Sequence, residues 1–119
     1  MSEERFYVEN HPAQSRYVLF DREVEHGLDE IGEESYRDYD SDSDGAGQRI
    51  MYHTEVSEKY GGLGLASVLA RHAIDDTVAE GRAIVPVCPY VVKWLEKHPE
   101  YSEHLVKVTG AHLEALRNS

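Results

Sequence analysis

The chain has 119 residues, seven histidines, a single cysteine and a formal net charge of −11 at neutral pH. That length suits one small domain spanning residues 1–119 with a core of its own, and one cysteine excludes both an internal disulfide and a zinc site built on paired cysteines. With no signal sequence or apolar run of spanning length, the expectation is a soluble cytoplasmic protein with no membrane partner. The charge is lopsided: residues 1–58 carry 16 acidic and 5 basic side chains, residues 59–119 seven of each. Nucleic acid is therefore excluded as an expected partner, because it needs a basic footprint. The neutral second half leaves room for an anionic ligand. The acidic first half hints, through electrostatic steering, at a cationic partner, although a solvated acidic face gives the same count.

In chain order, residues 1–4 are a loose end. Residues 5–10 and 16–21 read as strands separated by His11-Pro12-Ala13-Gln14, and the second is apolar on both faces through Tyr17, Leu19, Val18 and Phe20. Residues 23–30 form an acidic turn marked by Gly27, and residues 33–40 a third, wetter strand near Ile31, Tyr36 and Tyr39. The run Asp40-Ser41-Asp42-Ser43-Asp44-Gly45 matches the first half of a calcium loop. The second half fails, with Gly47 at the apolar eighth position and Met51 where a bidentate glutamate is needed, so a polar hairpin is predicted and no metal site. Residues 49–56 form a fourth strand, Ile50, Tyr52, Thr54 and Val56 alternating against His53 and Glu55. The four strands make an antiparallel meander.

Next come Gly61, Gly62 and Gly64, then two rows at i, i+4 spacing, Leu65, Leu69, Ala73 and Ala66, Ala70, Ile74, Val78. This is a glycine turn opening an amphipathic helix, whose free N–H groups and dipole make a seat for phosphate. It is not a Walker loop, since no Gly-Lys-Ser/Thr follows. Nor is it a dinucleotide fingerprint, since Ser67 stands in place of the third glycine. Gly81 closes the helix, and residues 83–87 are a short apolar strand. Strand, helix, strand implies a right-handed crossover, pairing 49–56 in parallel with 83–87. Pro86 interrupts that pairing, since proline donates nothing to a ladder. Cys88-Pro89 makes Cys88 the N-cap of a helix over 89–97, with Val91, Val92, Trp94 and Leu95 to bury. His98-Pro99 ends it. Residues 104–116 read as a strand and a helix, with Gly110 as a break and Leu113 and Leu116 as packing candidates.

Lys59-Tyr60-Gly61-Gly62-Leu63-Gly64 resembles the acyl-CoA loop of the GNAT N-acetyltransferase superfamily, Gln/Arg-x-x-Gly-x-Gly/Ala, departing from it at Lys59. His53-Thr54-Glu55-Val56, the glycine loop, Val85-Pro86-Val87-Cys88-Pro89-Tyr90 and His98-Pro99-Glu100-Tyr101 follow in the order of one branch, the very short N-acetyltransferase domain-containing proteins. The resemblance implies an α/β fold, a minimal GNAT-like acyl-CoA N-acyltransferase with a mixed, mostly antiparallel sheet and a strand–helix–strand CoA-binding core. It implies acetyl-CoA as donor and an unknown amine, peptide or protein as acceptor. The fourth and fifth strands would splay to admit the pantetheine arm. Backbone amides near Val56 would polarise the thioester, and those of Gly62, Leu63, Gly64, Leu65 and Ala66 would hold the pyrophosphate.

Three side chains carry the chemistry in this reading. Cys88, at a helix N-terminus that favours thiolate, is a nucleophile or a proton donor to CoA, against simple packing. His53 is a base reached through water with Glu55 as partner, against a structural histidine. Tyr90 is an acid for the leaving thiolate, against packing on the pantetheine. His98-Pro99-Glu100-Tyr101 is also explained as a helix stop with a packed tyrosine. GNAT enzymes usually wall the acceptor site with helices after the first strand, and residues 11–15 are too few for them. The acceptor side should thus be open. A protein or peptide then fills it, a partner such as a second copy completes it, or the chain is a non-catalytic CoA-binding or sensing module.

Overall fold

The computed structural model describes residues 5–22, 29–39 and 47–117. Among them, β1 (Phe6–His11), β2 (Arg16–Asp21), β3 (Asp29–Tyr39), β4 (Gln48–Val56) and β5 (Ala83–Pro86) form one sheet in chain order. The first four are antiparallel, and β5 lies parallel to β4. Three helices follow: α1 (Leu65–Ala79), α2 (Pro89–Glu96) and α3 (Gly110–Arg117). The mixed, mostly antiparallel sheet with its β4–α1–β5 crossover is the expected architecture. Of the acidic turn expected at 23–30, residues 23–28 lie outside the described residues, and residues 29–30 already belong to β3, which starts before the expected residue 33. The calcium-like run at 40–45 also lies outside.

The α1 face of the sheet holds the core. Leu65, Leu69, Ala70, Ala73 and Ile74 are buried against Val8, Tyr17, Leu19, Ile31, Tyr36 and Met51. Five of the seven residues in the two rows read from the sequence form the buried stripe, Ala66 and Val78 being only partly buried. Thr77 joins it with its hydroxyl turned back onto the Ala73 carbonyl at 2.7 Å. A Schellman turn closes α1. Gly81, at φ 78°, donates to the Val78 carbonyl and Arg82 to that of Thr77, which only a residue free to adopt positive φ does cheaply.

Two bulges set which side chains meet. On β3, Leu19 pairs with Gly32 but Phe20 with Glu30, leaving Ile31 extra. On β4, Ser35 pairs with His53 but Tyr36 with Met51, leaving Tyr52 extra. The second overturns the simple alternation expected for this strand, because an extra residue reverses the facing of everything beyond it. Arg49 and Met51 face α1 before the bulge, Thr54 and Val56 after it. Ile50 and Thr54 therefore lie on opposite faces. Tyr52 is 40% exposed.

The last segment departs furthest from expectation. Residues 104–109 contribute one parallel bridge, Ile84 to Leu105, instead of a strand. Gly110 begins α3 instead of breaking the segment. Thr109 stands at the cap position and its N–H donates to His112 Nδ1 at 3.0 Å, the returning half of a capping box. His112 is the buried residue of α3, while Leu113 is exposed and Leu116 only partly buried. Accepting from Thr109 leaves the proton on Nε2, which donates to Gln48 Oε1 at 2.7 Å, and burial lowers the His112 pKa. This fastens α3 to the β3–β4 end on the sheet face away from α1.

Candidate active site

The β4–β5 ladder runs from Gln48–Ala83 to Met51–Pro86 and stops. Pro86 has no N–H, and the next two amides, of Val87 and Cys88, both donate to the Met51 carbonyl at 2.9 and 3.0 Å. That double bond turns the chain away from β4 and into α2. Cys88 is its N-cap, with φ −63° and ψ 127°, and Pro89 takes the first helical position. Beyond Met51, β4 continues to Val56 while β5 does not, so the two part. Cys88 lies at the fork.

Past the open end of β4, residues 57–64 form a 3-10 turn (Glu58–Tyr60) and the glycine turn. Tyr60 anchors it, donating to the buried Asp21 carboxylate at 2.5 Å and packing edge-on against Phe6. Gly62 and Gly64 have φ 84° and 71°, and a Cβ on either would meet no described atom within 4 Å. The result is a hollow of about 280 Å³ lined by Val56, Gly62, Gly64, Leu65 and Ala66 among others. Four of the five residues expected to hold a pyrophosphate thus line one hollow, together with Val56, expected beside the thioester. Leu63, exposed at the tip, does not line the hollow. The first N–H groups of α1 have no acceptor within the helix, because an α-helix pairs each N–H only with the fourth residue back.

Two further hollows continue around the start of α1. One, of about 350 Å³, is lined by Gly64, Ser67 and Arg71 among others. The other, of about 330 Å³, lies between Ser67 and α2 and carries Tyr90, Lys93 and Lys97. Tyr90 is partly exposed, and burial pushes its phenol up while a hydrogen bond with Ser67 pulls it back. Ser67 also accepts from Trp94 Nε1 at 2.9 Å. His98 stacks on Trp94 at 3.7 Å, its Nδ1 2.6 Å from the Trp94 carbonyl. Tyr101 donates to Asp75. The His98-Pro99-Glu100-Tyr101 motif is therefore a clasp between α2 and α1.

His53 and Cys88 do not meet. Cys88 Sγ lies 3.1 Å from Thr54 Oγ1 on the α1 face, and consecutive strand residues point to opposite faces. His53 accordingly emerges on the other side, half exposed, its Nε2 3.2 Å from Glu55 Oε1. The pair is the expected one, but the strand buries it less than its apolar neighbours suggest. Beside it lies a hollow of about 250 Å³ lined by Glu30, Glu33, Glu55 and Ser57 with Ile31 and Gly32. Glu33 and Glu55 are direct cross-strand partners, a like-charge pairing that disfavours the sheet unless a cation joins it. Arg16 reaches Glu30 and Glu33 at 2.6 and 2.8 Å. Ser57 borders both this hollow and that of the glycine turn. β1 and β2 are joined only by the 3-10 turn Pro12–Gln14, so no helix follows β1.

Sequence reasoning missed the buried charges around the site, Asp21 beneath Tyr60 and two more. Glu34 of β3 accepts from Thr54 and is fully buried. Arg49 of β4 is buried among Asp38, Glu80 and Tyr17. Glu34 sits in the strand read as wetter, and Arg49 opens the strand read as half-buried. Only Thr54, inside His53-Thr54-Glu55-Val56, lay in a motif that could have pointed to Glu34.

Residues 16–105 match the family model of the GCN5-related N-acetyltransferases. Protein NATD1 of chicken is 40% identical over 63 residues, covering 50% of this chain and 57% of that protein. Its human counterpart is 38% identical over 63 residues, again half of this chain and 56% of its own length. The chain thus aligns with little more than half the length of these relatives. In fold, it resembles a GCN5-like protein of Staphylococcus aureus solved by NMR, with TM-score 0.57 and 18% identity over 92% of this chain and 97% of that one. It also resembles a ribosomal-protein-alanine N-acetyltransferase of Brucella melitensis, with TM-score 0.51 and 18% identity over 81% and 65%. With three quarters of its length matched by the family model and its strands parting at the glycine turn, the chain belongs to the GCN5-related N-acetyltransferase family.

Proposed function

We propose that the protein is an acetyl-CoA-dependent N-acetyltransferase with an open acceptor side, working on a cationic amine borne by a peptide or protein. The observation that carries this reading is the glycine turn opening α1 beside strands that part after Met51. The residues fit an acyl-CoA. Two positive-φ glycines leave open space at a helix N-terminus, and Arg71, Lys93 and Lys97 line the adjoining hollows. The amides of Gly62, Leu63, Gly64, Leu65 and Ala66 supply donors for the pyrophosphate. The bound donor supplies an activated acetyl thioester, and this chain's residues align and polarise it.

Amine and thioester approach from opposite faces of the sheet. Glu33 and Glu55 attract the cationic acceptor, and His53, paired with Glu55, takes its proton through water. A Val56 backbone amide stabilises the developing oxyanion. Cys88 and Tyr90 serve the thioester side. The minimal β1–β2 turn favours a second reading, a CoA-binding or sensing module whose acceptor site no helix walls in.

Thermal unfolding with CoA tests the cofactor. Saturation at 100 times Kd should add about 2.7 kcal/mol, and Gly62→Val should abolish the shift. No shift with either CoA or acetyl-CoA would sink the assignment. Acetylation of lysine-bearing peptides then separates the readings: a transferase loses turnover but keeps the CoA shift in His53→Ala, whereas a sensor shows no turnover to lose.

A further inference from the structure

We propose that Glu34 is the proton acceptor for the Cys88 thiol, acting through the Thr54 hydroxyl, so that Cys88 takes up the acetyl group as a nucleophile. This deepens the transferase reading and rests on it for the acyl donor. Glu34 projects from β3 onto the α1 face opposite its register partner Thr54 and is fully buried. One carboxylate oxygen, Oε1, is bonded by the Thr54 hydroxyl, while Oε2 has no hydrogen-bond partner among the described residues. Thr54 Oγ1 is in turn 3.1 Å from Cys88 Sγ. Carboxyl, hydroxyl and thiol thus form one chain ending at the fork of β4 and β5.

No described arginine or lysine is paired with this carboxyl, whereas the buried Asp21 has Arg5 at 2.9 Å. A half-satisfied buried carboxyl is costly as structure, and an apolar residue would fill the space better. Its surroundings hold few charges. Tyr17 faces it from β2, with its hydroxyl tied to Asp76 and Arg49. His72 of α1 stands edge-on to Tyr17, Cys88 comes from the head of α2, and Glu33 is the next residue on the opposite face of β3. Burial pushes the Glu34 carboxyl up to about 8, Thr54 and the His53 backbone pull it down, and Glu33 pushes it up slightly. Such a group exchanges its proton near neutral pH.

The step balances without any added reagent. The Cys88 S–H proton moves to Thr54 Oγ1 as Thr54's own proton moves to Glu34, giving a thiolate and a neutral carboxylic acid with no change in buried charge. The thiolate attacks the thioester carbonyl of acetyl-CoA. A bond forms from Cys88 Sγ to the acetyl carbon, and the bond from that carbon to the CoA sulfur breaks. Thr54 then gives its proton to the departing CoA thiolate and recovers one from Glu34. The acceptor amine, its first proton already taken through His53, then attacks acetyl-Cys88 where the strands part, and its second proton ends on the Cys88 sulfur, restoring the thiol.

Carbon-13 NMR of the full chain, labelled at glutamate Cδ and cysteine Cβ, reads the relay without any ligand. Glu34 Cδ should titrate near pH 8, and the Cys88 Cβ shift should report that same step. Glu34→Gln and Thr54→Val should remove that step from Cys88, and Thr54→Ser should restore it. A Cys88 curve identical in all four proteins would overturn the proposal, as would titration of Glu34 in the ordinary carboxylate range. Intact mass after rapid mixing with acetyl-CoA should show Cys88 acetylated about 100-fold more slowly in Glu34→Gln, and an unchanged rate would also overturn it. A shared titration step with no CoA-induced thermal shift would instead refute the transferase reading and leave the relay standing. A CoA shift without the shared step refutes the relay alone.

Discussion

The two ends of β4 treat buried charge in opposite ways. At the closed end, where β4 still pairs with β5, Arg49 is buried and every face of its guanidinium is used. Nε meets Asp38 at 2.7 Å, Nη1 the Tyr17 hydroxyl at 2.7 Å and Nη2 Glu80 at 3.1 Å, with the Tyr36 ring 4.2 Å away. At the open end, Glu34 is buried with one oxygen bonded and the other not. The closed end ties β2, β3, β4 and α1 into one unit. The open end keeps a group that can change its protonation beside the one thiol in the chain. A fully satisfied charge serves rigidity, and a half-satisfied one serves chemistry at a cost in stability.

Arg49→Met should break the closed end. Among the described cations it leaves Asp38 and Glu80 with only Arg82, 3.8 Å from each. Because both carboxylates stay partly solvated, the lost charged hydrogen bonds should cost about 1.5–3 kcal/mol. Urea unfolding should show that loss; a variant within about 1 kcal/mol of wild type would mean the cluster is only a surface network.

Glu34 should instead make the protein less stable as pH rises. Its folded pKa, about 8, lies above the ordinary 4.5. The unfolded chain therefore loses this proton first, while the native state still holds it. The Glu34 contribution is fully present below pH 4.5 and falls as pH climbs to about 8. The slope approaches about 1.4 kcal/mol per pH unit between those limits. Urea unfolding of wild type and Glu34→Gln across that window should diverge, with the variant the more stable at pH 8. Parallel curves would mean that Glu34 is solvated and the two ends of β4 do not differ.

Most of this framework was legible because periodicity and punctuation mark it. Leu65, Leu69 and Ala73 at i, i+4 spacing fixed the face of α1, Gly81 its end, and Cys88-Pro89 the start of α2. The bulge at Tyr52 was not legible, since an extra residue changes a strand's phase without changing its composition. Its consequence was hidden with it: Thr54, not His53, shares a face with Cys88. Arg49 and Glu34 escaped for a related reason. A charged residue in a strand reads as solvent-facing until the partner that buries it is known, and those partners lie 11 to 32 residues away. Gly110 misled in the other direction, because Thr109 and His112 cap the helix that a glycine alone would argue against.

The smallest effect tests the margin of the open end, the glycine turn. Gly64 and Gly110 both have open space where a Cβ would sit, with no described atom within 4 Å. They differ in backbone: Gly64 has φ 71°, while Gly110 begins α3 without positive φ. Steric crowding therefore predicts the same outcome for alanine at either site, and conformational strain predicts opposite ones. Gly64→Ala should cost about 1 kcal/mol, the penalty of a left-handed L-residue. Gly110→Ala should stabilise by about 0.4–1 kcal/mol by narrowing the unfolded ensemble. CoA binding adds the discriminating arm. If the turn is the phosphate seat, Gly64→Ala should weaken CoA by at least about tenfold, more than its folding loss of about 1 kcal/mol explains, while Gly110→Ala leaves affinity alone. Equal effects of the two substitutions on folding would remove the left-handed turn from the account. Equal effects on CoA would remove the glycine turn from the binding site.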